Sequence, residues 1–345
     1  MKKILMILMA AAIILMSVGS FVSCASEAAA PAKAAVLRLA IPWPPGDPVT
    51  NNIEVFIKNF NEQAKGKYVI ELHPGESLVK LGDAMDAVRT GAVEMVGFPT
   101  GFLANLDPAF AAAEVPFLAN NVEADAAMQV ETMPLYDGVM TKKFNSKPIF
   151  SFTCLALDVI STKPVKTAAD WKGLLCQSVS PQSGKFIEYM GGSAVPMPFP
   201  DGYQGIQKKV IDASTQSSSM MIMFKMNEVA KYVLRGYLIP ASLMIAINLD
   251  AYNKMPNDIK NLIVKLGKEA QTSTNAFFVK IASENSKTLS DLGVTVYQLP
   301  KAERDVWMQT VKPYTDELLN SIGGDTAAKL RQIIAELNTK YPYQY

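Results

Sequence analysis

The sequence predicts an α/β fold in two lobes, with strands that cross between them and a long C-terminal helix as a spine. Three observations point there. Short apolar runs and amphipathic runs alternate in two successive sets, the pattern of strands and helices layered around sheets. The body that follows the N-terminal leader, about 310 residues, exceeds what one hydrophobic core holds. From residue 257 onward the period is mostly helical, with one amphipathic stretch over 257–292.

The first set opens with a strand over 36–41, stopped by Pro42, Pro44, Pro45 and Gly46. A helix follows over 49–65, its apolar Ile53, Phe56, Ile57 and Phe60 falling on one face. Residues 68–72 alternate as a strand ending at Pro74-Gly75, 84–90 form a helix closing on Gly91, and 93–98 form another strand. This order implies a largely parallel sheet with helices on both sides. The second set has strands at 149–157 and 174–179, and a helix at 183–190 ending at Gly191-Gly192. A short helix at 203–209, a strand at 210–213, a helix at 227–232 and a strand at 243–248 follow. The long helix starts at Pro256-Asn257 and stops at Gly293, and helices over 301–322 and 326–340 complete the chain. Two lobes joined by crossing strands create a cleft at the carboxyl ends of the strands, where open α/β sheets hold ligands.

At the N-terminus, Lys2 and Lys3 precede an uninterrupted apolar run from Ile4 to Met16. The run is shorter than the roughly 20 apolar residues that span a bilayer, so residues 1–23 read as a signal peptide. Phe21-Val22-Ser23-Cys24 has the form of a lipobox, with Phe21 where leucine is usual, which makes Cys24 the candidate lipidation site. Ordinary signal cleavage near Ala25 is the alternative. Residues 24–36 hold almost nothing large to bury and form a flexible tether to a membrane. Loss of Lys2 and Lys3 with the signal takes the formal charge from +1 to −1, leaving no basic excess to attract nucleic acid. In the folded body only Cys154 and Cys176 remain; they either pair in an oxidising compartment or are buried thiols.

The chemistry of an enzyme is not assembled. The single histidine, His73, sits at a strand-to-loop junction without a cluster of cysteines or carboxylates, so it reads as structural or solvated. No Gly-x-Ser-x-Gly elbow, His-Glu-x-x-His, phosphate loop or Gly-x-Gly-x-x-Gly is present. A catalytic cysteine would need a histidine partner, and His73 is the sole candidate. No catalytic residue, metal or cofactor is expected.

Several stretches, in order, carry a family resemblance. Residues 78–95 (LVKLGDAMDAVRTGAVEM) form a glycine turn, a helix and the start of a strand; 113–118 read AEVPFL; and Asp170-Trp171-Lys172-Gly173-Leu174 leads into a strand. Further on come Val195 to Tyr203 (VPMPFPDGY), Val210-Ile211-Asp212-Ala213, and Asn227 to Tyr232 (NEVAKY). Together they resemble the solute-binding proteins of tripartite ATP-independent periplasmic (TRAP) transporters, across almost all of the mature chain. The resemblance implies a two-lobed, periplasmic binding protein-like fold. The receptor would close around a small organic solute and hand it to the membrane subunits of an ion-coupled carrier. It also implies a periplasmic or otherwise extracytoplasmic location and divides the body into lobe I, residues 37–154 and 243–285, and lobe II, 155–242 and 286–345. A monomer is expected. A receptor of the same fold feeding a sensor or another carrier is the alternative.

One departure from the family bears on the ligand. The strand after Lys-Gly-Leu usually supplies an arginine that forks onto a substrate carboxylate. Gln177 stands there, Leu157-Asp158 occupies the place of a second basic group, and Gln216 or Ser217 that of a common asparagine. A neutral amide cannot neutralise a buried carboxylate. The expected solute is therefore uncharged or amphipathic, held by Gln177, Gln216, Ser217 and Thr100 and walled by Trp43, Phe98, Phe102, Phe199 and Tyr203. Asp158 leaves room for a cationic ligand. Trp43 could equally pack a loop, Phe98 and Phe102 could be lobe core, and Met220, Met221, Met223 and Met226 fit either interlobe core or a wide apolar site.

Overall fold

A computed structural model describes residues 34–344. The signal peptide, the Cys24 lipidation site and most of the tether lie outside the described residues.

The first sheet has the order β2-β1-β3-β10-β4. Here β1 is Ala35–Ala40, β2 Tyr68–His73, β3 Met95–Pro99, β4 Ser146–Thr153 and β10 Ser242–Asn248. Strand β1 runs parallel to β2 and β3, whereas β10 runs antiparallel to both β3 and β4, so the sheet is mixed rather than largely parallel. Both faces are covered, and the side chains of β10 show it. Leu243, Ile245 and Ile247 enter one core with Phe56, Phe60 and Phe152, while Met244 and Ala246 enter the opposite core with Phe98 and Phe110. A strand buried on both faces reads as a continuous apolar run.

The second sheet has the order β11-β9-β5-β8-β6-β7. It uses β5 (Leu157–Ser161), β6 (Leu175–Ser178), β7 (Ser193–Pro196), β8 (Ala213–Gln216), β9 (Tyr232–Ile239) and β11 (Thr295–Gln298). Its cores hold Trp171, Phe186 and Trp307 on one side and Ile160, Met221 and Leu289 on the other.

Helices α1 (Pro48–Gln63), α2 (Ala84–Thr90), α4 (Pro181–Tyr189) and α5 (Asp201–Gln207) lie close to the expected places. Several elements differ, among them the following three. The strand expected at 210–213 is β8, a few residues on. The helix expected over 227–232 is one 3-10 turn, Met226–Glu228, followed by β9. Helix α3 (Val122–Lys143) gave no apolar period, because it buries the polar Asp125, Gln129 and Thr132 and carries Pro134.

Two segments join the sheets. Strand β4 runs through 154–156 into β5, and β9 runs through 240–241 into β10. The two crossings are antiparallel neighbours: Thr153 faces Ser242, Leu157 faces Ile239, and Cys154 N–H donates to Ala241 O at 2.9 Å. The first carries a non-glycine residue at positive φ, Leu155 at 76°, and β9 carries another, Tyr237 at 51°, shortly before the second.

After α6 (Ser218–Met223) and α7 (Leu249–Lys254) comes α8 (Asn257–Asp291), about 50 Å long at 1.5 Å per residue. Its Ile263, Leu266 and Phe278 pack in the first lobe, Phe278 stacking on Phe152 at 6.0 Å, while Leu289 packs in the second. Helices α9 (Lys301–Ile322) and α10 (Gly324–Lys340) close the chain. Trp307 of α9 meets Trp171 edge-on, and Leu330, Ile333 and Leu337 of α10 pack with Met128 of α3.

Candidate ligand-binding cleft

A cavity of about 690 Å³ opens where the crossings pass, lined by Cys154, Leu157, Ala241, Ser242 and Leu243. One lobe adds Trp43, Asp47, Phe102 and Glu114; the other adds Val179, Ser180, Phe199, Ser217 and Met220; α8 adds Phe278. The volume suits a ligand of drug size.

Local chemistry sets each wall. Asp47 caps α1, accepting from Val49 N–H at 2.7 Å, and Pro48 takes the first helical position, where a missing N–H costs nothing. Ser217 caps α6, turning Met220 toward the cavity. Glu76 Oε1 accepts from Leu81 N–H at 2.9 Å. The loop of Pro198, Phe199 and Pro200 is held from behind by two amides. Gln177 Nε2 donates to Met197 O at 3.2 Å and Pro198 O at 2.6 Å, and its Oε1 accepts from Ser214 Oγ at 2.6 Å. Gln216 Nε2 donates to Gln177 Oε1 and to Phe199 O. An arginine at 177 could donate but could not accept from Ser214; glutamine does both.

Three carboxyl side chains line the cavity, Asp47, Glu76 and Glu114; among the described residues no Lys, Arg or His does. Glu114 ends the 3-10 segment Pro108–Glu114 and is 5% exposed. Its carboxyl takes the space that a side chain at 101 would fill: a β-carbon on Gly101 would stand within 2.5 Å of Glu114 Cδ and Oε1. Burial pushes its pKa from 4.5 to about 7, against a hydrogen bond with Ser180 that pulls it down, and Oε2 has no hydrogen-bond partner. Burial also raises the Cys154 thiol well above its usual value, and the charges of Asp125, Glu114 and Asp47 raise it further. Cys154 and Cys176 are free thiols, so the disulfide alternative is not realised.

The structure separates the residues singled out from the sequence into two groups. Trp43, 7% exposed, Phe102, 41% exposed, Phe199 and Ser217 line the cavity. Phe98 and Thr100 are buried in the first lobe, Phe98 within its core. Gln177 and Gln216 stand one layer behind the wall. Tyr203 directs its hydroxyl to Glu228 Oε2 at 2.8 Å. Asp158, on β5, faces the irregular stretch of the neighbouring β9, accepting from Gly236 and Leu238 N–H at 3.2 and 3.3 Å, with Arg235 Nε at 3.7 Å. These bonds satisfy the backbone beside the second crossing and do not open on the cavity. Of the methionines, Met220 lines the cavity and Met221 and Met226 are lobe core. Glu114, within AEVPFL, was not singled out from the sequence, which carries no sign of its burial.

A two-lobed α/β body enclosing an apolar cavity at paired crossing strands defines a solute-capturing receptor. Residues 39–321 match the family described as bacterial extracellular solute-binding protein, family 7 (DctP), and the chain belongs to this family of TRAP-type extracytoplasmic receptors. It is 25% identical over 307 residues to the C4-dicarboxylate-binding periplasmic protein DctP of Rhodobacter capsulatus, covering 85% of this chain and 89% of that one. Among solved structures it is similar to a Bordetella pertussis extracytoplasmic solute receptor binding pyroglutamic acid, with TM-score 0.81, 20% identity, and 88% and 100% of the two chains covered. It is similar too to a TRAP periplasmic solute-binding protein of Desulfovibrio salexigens with bound orotic acid, with TM-score 0.77, 20% identity, and 88% and 99% covered. No helix of the described residues is long and apolar enough to cross a membrane.

Proposed function

We propose that this receptor captures an uncharged or amphipathic solute rather than a simple organic acid, and delivers it, without chemical change, to the membrane subunits of its transporter. The observation that carries this reading is the cavity wall: aromatic and aliphatic surface, three carboxyl side chains and no basic group among the described residues. The neighbours with pyroglutamic acid and orotic acid hold acids. An acid in this cleft would be a buried anion without a counter-charge, which costs several kcal/mol. Trp43, Phe102 and Phe199 supply contact surface and Ser217 a hydroxyl; Gln177 and Gln216 fix the loop bearing Phe199. Lobe I, residues 37–154 and 243–285, and lobe II, 155–242 and 286–345, close on the solute by bending at 154–156 and 240–241. The protein works as a monomer, tethered through a lipid on Cys24.

Thermal-shift and native mass spectrometry measurements on the mature body test the reading. A panel of alcohols, amines, aromatic solutes and dicarboxylates is offered at about 100 times the dissociation constant of a binder, where binding adds about 2.7 kcal/mol of stability. Uncharged or amphipathic members are expected to raise the melting temperature. Tight binding of simple dicarboxylates would sink the proposal.

A further inference from the structure

The receptor reading leaves Glu114 without a task. Buried acids that serve structure alone are surrounded by donors, as Asp125 is: Thr153 Oγ1 at 2.7 Å, Gln129 Nε2 at 2.8 Å and Tyr237 OH at 2.9 Å all donate to it. Glu114 is buried as well, at 5% exposed, yet its Oε2 has no hydrogen-bond partner. Gly101 makes room for the carboxyl on one side, and the cavity lies on the other. The groups that face it bring no positive charge. They are the Ser180 hydroxyl, the Tyr314 phenol of α9, the Cys154 thiol of the first crossing and, through the shared field at Cys154, the Asp47 carboxyl. A carboxyl so placed calls for a counter-charge that the protein does not supply.

We infer that Glu114 is the counter-ion for an organic ammonium group, so that the cleft takes an amphipathic cation with an apolar body. This rests on the receptor reading above and narrows its ligand. The ring of Trp43, with Phe102 and Phe199 in the same cavity, offers the π-surface that alkylammonium groups favour. The charge of the ligand completes the ion pair, and closure of the lobes excludes the water that would weaken it. In the empty cleft Glu114 holds its proton up to about pH 7, so proton and cation compete for one carboxyl. Tyr314 and Cys154 are pushed up and stay neutral throughout this range. Asp47, raised by burial and pulled back by Val49 and Thr50 N–H, is the other carboxyl bearing on the dependence.

Three probes of one shape separate the outcomes: phenylpropyltrimethylammonium, its uncharged isostere with carbon in place of nitrogen, and phenylbutyrate. The quaternary cation cannot titrate, so any pH dependence belongs to the protein. At about pH 8 the cation is expected to bind at least ten times more tightly than the isostere, and to weaken about tenfold per unit as pH falls below 7. Glu114→Gln, checked for folding by circular dichroism, should abolish both the preference and its pH dependence. Should that variant fail to fold, the pH dependence of cation binding decides by comparison with Asp47→Asn: it is expected to survive that substitution, and its loss there overturns the assignment to Glu114. Failure of the cation to bind, equal or better binding of the isostere, or a preference surviving Glu114→Gln overturns the inference, and binding of the isostere leaves the receptor for an uncharged solute standing. Tightest binding by phenylbutyrate removes both.

Discussion

Residue by residue, the cleft is governed by carboxyl groups that differ in how they are satisfied. Burial raises Glu114 from 4.5 to about 7, which makes its ionisation in the empty cleft cost about 3 kcal/mol. The raised value means stability is full below about pH 4.5, is lost as pH rises toward 7, and is level above. Glu114→Gln should therefore melt several degrees higher than the unaltered protein at about pH 8 and match it near pH 4. A residual slope below pH 6 is expected in both proteins, because burial lifts Asp125 to about 6. Identical melting curves across the range would show that Glu114 does not feel its burial. At this scale the sequence was informative about chemistry and silent about depth. Gln177 in place of arginine was readable as a missing charge, but its position one layer behind the wall was not. Asp158 offered a carboxylate, which the fold spends on the backbone of β9. Which side of a strand faces the cleft depends on register, and register is set by partners far away in sequence.

Among the elements, α8 packs against both lobes, and against β4 of the first it does so at very close range. A β-carbon at Gly267 would stand 2.8 Å from both the carbonyl oxygen and Cγ2 of Ile149 on β4. Alanine favours helices over glycine by about 1 kcal/mol, but overpacking of a filled contact costs about 1–3 kcal/mol. Gly267→Ala is expected to lower stability in a urea melt by up to about 2 kcal/mol; a stabilised variant would mean that α8 and β4 can part at no cost. The length of α8 was legible because its period ran uninterrupted between Pro256 and Gly293. Helix α3 was not, since helix periodicity reports apolar faces and this helix buries Asp125 and Gln129. The strand expected over 149–157 ran β4 on through the crossing to Leu157, because the chain stays largely apolar from one core to the next, and the rest of β5 was missed.

For the whole molecule, the two sets of alternating elements in the sequence announce two sheets, but the boundary between the sets is not the boundary between the sheets. The strands expected at 149–157 and 243–248 open and close the second set, yet they lie in the first sheet as β4 and β10. The mixed strand directions were less visible, because they follow from the two crossings rather than from any local pattern. The tether assigned to the leader makes a prediction about the intact chain. Cys24→Ser should move the exported protein from the membrane fraction to the soluble fraction of a bacterium that lipidates its exported proteins. The thermal melting of the folded body should not change. Retention of Cys24→Ser in the membrane fraction would remove the lipid anchor. The paired crossings also have a mechanical consequence. Two antiparallel segments stitched by the Cys154–Ala241 hydrogen bond cannot slip lengthwise past each other without breaking it. If the lobes close as proposed, the two crossings would bend together, as a ribbon does, and favour one direction of rotation. A receptor closing on such a joint would swing along a single arc, and the solute would decide where on that arc it stops.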